Sequence, residues 1–202
     1  MLARILFLSL VIISADLHAV SKSPMEHVRE STEKVITILQ DASLDREAKW
    51  RRIGVIINAR FDFRSMSQSV LATNWQEATP EERARFVEYF SQYIEATYRE
   101  KIEAYTDQKV LYLRETINGK RAEVDTVIVS NSTEIPVSYR MKNNDGDWYA
   151  YDVIIEGVSL VNNYRSTFTA IVKNEGMDGL LNDIQRRIER HRQEGGSPST
   201  TP

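Results

Sequence analysis

The chain has 202 residues, of which 27% are charged, a formal net charge of −3, three histidines and no cysteine. That length suits one domain with a substantial core, and the charge balance lacks the basic excess of a nucleic-acid partner, so none is expected. The missing cysteines exclude disulfides, thiol chemistry and Cys-based metal sites, and the scarcity of histidine removes most metal and triad arrangements.

Arg4 precedes an apolar run over residues 5–13, and small or polar residues then lead to Ala19. This is the layout of a secretory signal, with a hydrophobic segment too short to span a bilayer comfortably. Leu17-His18-Ala19 is a passable cleavage site, and no Cys follows it to carry a lipid anchor. The expected organisation is a signal peptide over 1–19, one domain over 20–194 and an unfolded tail over 195–202. Export is therefore expected.

Ser23-Pro24-Met25-Glu26 combines an N-cap, a first-turn proline and a capping-box glutamate, so a helix starts there and carries a stripe of Val28, Thr32, Val35 and Leu39. Residues 43–45 open a second helix with Trp50, Ile53, Ile57 and Phe61 on one side. The segment FDFRSMSQSVLATNW reads as a bent or broken helix. Thr79-Pro80-Glu81-Glu82 is the clearest helix start in the chain. The long helix that follows carries Phe86, Phe90, Tyr93, Ile94, Thr97, Tyr98, Ile102 and Tyr105, a face wider than one contact requires.

From Lys109 the period changes to alternation. VLYLRETI and AEVDTVIVS flank the hairpin signal Asn118-Gly119. EIPVSYRM places Ile135, Val137, Tyr139 and Met141 on one face, a turn over 143–146 follows, and DWYAYDVII is the last strand, apolar enough to look dry on both faces. Glu156-Gly157 turns the chain, and Ser159 caps a helix bearing Leu160, Tyr164, Phe168 and Ile171. Gly176 ends that helix, and Asp178 can cap a final one with Leu180, Leu181, Ile184 and Ile188. Strands segregated between helices define an α+β class: an antiparallel sheet of about four strands packed against N-terminal and C-terminal helices. The basic run Arg186, Arg187, Arg190, His191 and Arg192 reads as a solvated helix end, where cations suit the helix dipole.

Phosphate-loop, HExxH and GxSxG patterns are absent. Asn131-Ser132-Thr133 fits a glycosylation sequon too short to carry weight. Asp62, between Phe61 and Phe63, and Glu156, at the strand-to-helix corner, are the two acids that stand out. Acid–base catalysis would require both to face one cavity. The plainer reading has Asp62 tying backbone or capping the next helix, and Glu156 facing an arginine or solvent. No catalytic residue, metal ligand or cofactor is assigned.

Two blocks, NWQEATPEERARFVEYFSQYIEATYREKIEAY and WYAYDVIIEGVSLVNNYRSTFTAIVKNEGMDGLL, resemble the MlaC-type family of periplasmic phospholipid-binding proteins, also called the toluene-tolerance auxiliary family. FDFRSMSQSVLATNW is similar to a third family motif, which usually has Gly where this chain has Ala72. The resemblance covers roughly residues 25–190. It implies an NTF2-like-related cone with a deep apolar cavity, in a monomer of the periplasm. Phospholipid would be the cargo, with no cofactor and no catalysis. The implied partners are an inner-membrane ABC transporter with an MCE-domain subunit and an outer-membrane lipoprotein complex, serving outer-membrane lipid asymmetry.

A carrier must offer a lining nearly as apolar as the bilayer, because exposing about thirty acyl carbons at ~0.8 kcal/mol each costs upwards of 20 kcal/mol. A cavity of about 1,000 Å³ or more is expected for such a ligand. The expected tail-lining residues are Phe90 and Ile94 on the long helix and Val137, Tyr139, Tyr151, Val153 and Ile155 on the strands. Val158, Val161, Tyr164 and Phe168 extend the lining through the corner into the next helix. Two other readings are an exported small-molecule enzyme using Asp62 or Glu156, and an adaptor whose core is filled.

Overall fold

The computed structural model describes residues 22–104, 108–130 and 133–194. The signal segment, Tyr105, Asn131-Ser132 and the tail lie outside the described residues. Four helices come first: α1 (Pro24–Gln40), α2 (Arg46–Arg60), α3 (Phe63–Leu71) and the short α4 (Asn74–Glu77). The long α5 (Pro80–Glu103) leads into strands β1 (Lys109–Asn118), β2 (Arg121–Ser130), β3 (Thr133–Asn144), β4 (Asp147–Ile155) and β5 (Val158–Ser159), and α6 (Leu160–Glu194) closes the fold.

The helix starts follow from side chains that satisfy otherwise orphaned backbone groups. Ser23 Oγ accepts from the Glu26 N–H at 3.2 Å while the Glu26 carboxylate accepts from the Ser23 N–H at 2.7 Å. Thr79 and Glu82 make the same reciprocal pair at 3.1 and 2.7 Å for α5. Asp45 caps α2 by accepting from the Ala48 N–H at 2.7 Å. That helix ends at Arg60, one residue before the expected apolar side runs out, and Phe61 is extended.

The sheet is antiparallel throughout in the order β1-β2-β3-β4-β5. It has five strands where the sequence suggests about four. The extra one is the two-residue β5, folded back on β4 through Glu156-Gly157. Both turn residues have positive φ (50° and 81°), the combination that a two-residue hairpin of matching twist requires. β1 is an edge strand exposing Leu111, Leu113 and Ile117, with its ladder interrupted by a bulge between Tyr112 and Arg114.

The largest core cluster joins α3, α5 and both parts of α6. Phe86, Phe90, Tyr93, Tyr164 and Phe168 interlock there, with Phe86–Phe90 stacked at 5.6 Å and Phe90–Tyr164 edge-on at 5.6 Å. Gly176 interrupts α6 at φ 72°, as the sequence suggests, so Leu180, Leu181, Ile184 and Ile188 fold back into the same cluster.

Ala72 breaks the segment after α3, at φ 51° and ψ −119°. A Cβ makes that conformation costly, while glycine adopts it freely. Ala72→Gly is therefore expected to stabilise the protein by about 1 kcal/mol, raising Tm by about 2–4 °C. Ala84→Gly, on the exposed side of α5, should destabilise by about 1 kcal/mol instead. Thermal melts of the two variants check both signs.

Candidate functional site

The site begins at the junction between α2 and α3. Phe61 leaves the helix to form an isolated parallel bridge with Ala150 of β4, and the Asp62 N–H donates to the Ala150 carbonyl at 2.8 Å. Asp62 also caps α3, accepting from the Ser65 N–H at 2.8 Å and from its hydroxyl at 3.1 Å. Lys142 of β3 pairs with the Asp62 carboxylate and donates to Ser65 Oγ at 2.6 Å. Burial pushes the Asp62 carboxyl up, but hydrogen bonds from Lys142 and Ser65 outweigh it and hold the group below the usual carboxylate range. Asp62 thus plays the backbone-tying, helix-capping role.

On one side of this seam, α1, α2 and the later turns of α5 stand over the inner face of the sheet and leave a cavity of about 300 Å³. Its walls are mostly apolar: Val28, Val35 and Leu39 from α1, Ile53, Ile56 and Ile57 from α2, and Ile94, Tyr98 and Ile102 from α5. The sheet contributes Val110, Ile128, Ile135, Val137, Tyr139 and Met141 among others. The volume lies at the lower end of ordinary ligand pockets, about 300–1,000 Å³. It falls short of the 1,000 Å³ expected for a two-chain lipid.

Of the eleven side chains expected on the lining, Ile94, Val137, Tyr139, Val153 and Ile155 are on the cavity wall. Phe90, Val161, Tyr164 and Phe168 instead belong to the packed cluster between α5 and α6. The wide face of α5 is shared: Phe86, Phe90 and Tyr93 turn to the core, while Ile94, Tyr98 and Ile102 turn to the cavity. Tyr151 sits where the β3–β4 register shifts, since Arg140 faces Asp152 but Met141 faces Ala150. The extra residue places Tyr151 off the cavity wall, with the Arg121 guanidinium 5.0 Å over its ring. Val158 is 56% exposed on the β4–β5 hairpin.

The sequence reading passed over the contribution of α1 and α2. The stripe of α1 and the run Ile53, Ile56, Ile57 were the available signals, and both look like ordinary helix packing. It also passed over Asp152, which is 3% exposed. Its carboxylate accepts from the Ser159 hydroxyl at 2.7 Å, the Val161 N–H at 3.1 Å and Arg140 at 3.3 Å, anchoring the start of α6 to β4. Ser159 Oγ in turn accepts from the Asn162 N–H at 3.1 Å, in the expected capping position. Glu156 is exposed, with its backbone N–H donating to the Pro136 carbonyl at 3.0 Å. Asp62 and Glu156 therefore do not converge on one cavity.

An antiparallel sheet, a helix cluster packed by aromatic rings and an apolar cavity beneath α1 and α2 define an α+β protein built around a cavity. Residues 29–186 match the family model described as MlaC protein, and the chain belongs to that family. It is 26% identical over 142 residues to "Toluene tolerance protein ttg2D" of Pseudomonas putida, covering 69% of this chain and 62% of that protein. It is 25% identical over 123 residues to "Intermembrane phospholipid transport system binding protein MlaC" of Haemophilus influenzae, covering 58% of each. The chain thus spans only 62% and 58% of the lengths of these curated relatives. Its fold matches that of a phospholipid-binding protein from Ralstonia solanacearum, solved with a phospholipid, at a TM-score of 0.77 and 20% identity, over 85% of this chain and 99% of that one.

The seam carries a pH dependence. Because the folded-state pKa of Asp62 is depressed, its stabilising contribution is complete above the unfolded value of about 3.9 and is lost as pH falls through the folded value. Lys142→Met should cost about 1–3 kcal/mol at pH 7. Denaturant melts from pH 7 down to pH 2 should show the gap between wild type and variant closing as Asp62 takes up its proton. A gap constant across that range would remove the ion pair as its source.

Proposed function

We propose that this protein is a periplasmic phospholipid carrier that shelters acyl chains in the cavity between α1, α2, α5 and the sheet. The observation carrying this reading is the cavity itself: a mostly apolar wall, left open beside a packed aromatic core. The family supports it, as does the Haemophilus relative, whose name places it in phospholipid transport between membranes. The Ralstonia protein of like fold holds a phospholipid. In this reading the chain exchanges lipid with an inner-membrane ABC transporter bearing an MCE-domain subunit and with an outer-membrane lipoprotein complex, and so helps maintain outer-membrane asymmetry. Its own step is transfer by partition, requiring no bond to be made or broken.

Each methylene moved from water to the cavity contributes ~0.8 kcal/mol, so the wall must match the bilayer closely without exceeding it, or cargo would never be released. In the described form the cavity is narrower than a two-chain lipid requires, so loading widens the gap between α1–α2 and the sheet. Polar ties join α1 to β1 over its first half, as far as Thr32, whose side chain hydrogen-bonds Tyr112. The Met25 N–H donates to Glu115 at 2.5 Å, and the Arg29 guanidinium stacks 4.0 Å over Tyr112.

Native mass spectrometry of the purified protein, followed by lipid extraction, tests the reading. Near-stoichiometric phospholipid is expected. Ile56→Trp and Ile135→Trp place indoles in the cavity from opposite walls and should reduce bound lipid at least tenfold while preserving a cooperative melt. Lipid retained by both folded variants would place the cargo elsewhere.

A further inference from the structure

The apolar wall carries a few polar groups, of which one is deeply buried. His27 lines the cavity with its side chain 3% exposed, and neither ring nitrogen has a hydrogen-bond partner. A buried polar group without a partner costs free energy and points to a missing ligand. Arg60, the last residue of α2, lines the same end and is half-buried, and its guanidinium makes no hydrogen bond or ion pair among the described residues. The two belong together because Phe61, next to Arg60, is bridged to Ala150, and His27 lies 3.6 Å from Asp147, three residues earlier on the same strand. Burial, followed by the charge of Arg60, lowers the His27 pKa, so the ring is neutral at pH 7 and offers one N–H.

Resting on the phospholipid reading above, we propose that this end holds the polar part of the cargo, with Arg60 at the rim pairing with the phosphodiester and His27 one step deeper donating to an acyl-ester carbonyl. The burial gradient from Arg60 to His27 follows the polarity gradient of a glycerolipid. A guanidinium suits the two free phosphate oxygens, and a neutral imidazole suits an uncharged carbonyl. The tails then run along α1 towards Leu39, twelve residues and about 18 Å away, where Ile102 and Ile155 complete an apolar end. Asp147 is 58% exposed, and Lys22 and Glu30 are the other charges acting on His27, with Glu30 paired to Lys22 at 2.6 Å and to Lys34 at 2.8 Å. Asp147 at the rim disfavours a second negative charge, so a headgroup with a single net negative charge or none fits best. Lys101 lines the opposite end of the cavity and is exposed, so it is the rival cation for the phosphate.

The experiment compares binding of dioleoyl-phosphatidylglycerol with binding of dioleoylglycerol, which keeps the ester carbonyls but lacks the phosphate. Arg60→Gln should weaken phosphatidylglycerol binding about tenfold and leave dioleoylglycerol binding unchanged, which also shows that the variant is folded. His27→Leu should weaken both ligands by a similar factor, and the loss of phosphatidylglycerol binding in Arg60→Gln should exceed that in Lys101→Gln. In the wild type, the ¹⁵N resonances of the His27 imidazole should shift on loading with either ligand. An unaltered Arg60→Gln affinity for phosphatidylglycerol overturns the assignment, as does an imidazole that ignores loading. A greater loss of phosphatidylglycerol binding in Lys101→Gln than in Arg60→Gln would place the headgroup at the other end. A wild-type protein that binds neither ligand would remove the carrier reading itself.

Discussion

The rest of the structure depends on the place where α2 stops and the chain touches the sheet. Phe61 and Asp62 are held to Ala150 by backbone pairing and to Lys142 by charge. This fixes the helical layer to the sheet along one line. Beyond it, α3, α5 and α6 close on each other around stacked and edge-on rings. Before it, α1 meets the sheet through Met25 and Val28, and the cavity opens beyond that contact between α1, α2, α5 and the inner face. The seam thus helps to set how closely the helices approach the inner face against the ordinary drive to bury apolar surface.

The long helix α5 shows how the two regions coexist on one element. Its aromatic side anchors the packed cluster, and its aliphatic side is one wall of the cavity. A chain without cysteines has only its core to stabilise it, so the aromatic cluster supports the underpacked neighbour. The far end of the cavity is clamped separately. Glu103, at the last turn of α5, accepts from Trp50 Nε1 at 2.5 Å and from Arg46 at 2.7 Å, tying α5 to α2. Burial raises the Glu103 carboxyl, but these two donors outweigh it and keep the group below its ordinary range.

What the sequence made legible was local. Ser23 and Thr79 with their capping glutamates, the Asn118-Gly119 turn, the Glu156-Gly157 corner and the Gly176 break each depend on residues within a few positions. The lining was legible only in part, because an apolar stripe is the same whether it meets a side chain or an opening. Hence the same apolar pattern covers Val137 and Val153, which lie on the cavity wall, Phe90 and Phe168, which lie in the packed cluster, and the stripe of α1, which also lines the cavity. Tyr151 depended on a register shift that no alternation pattern records, and Asp152 on partners seven to twelve residues away. The two residues of β5 were too few to read as a strand.

The outermost strand shows how the sheet is kept to itself. An exposed edge with Leu111, Leu113 and Ile117 would ordinarily template another chain, since its free N–H and C=O groups repeat at regular spacing. The bulge at Leu113 breaks that spacing midway, and Lys109, Arg114 and Glu115 place charge along the same strand. At the other border, β5 offers only two residues before the chain becomes helix. Neither border therefore presents a long regular ladder. The sheet margins are thus poorly suited to stacking, while the apolar side chains of its inner face turn to the cavity.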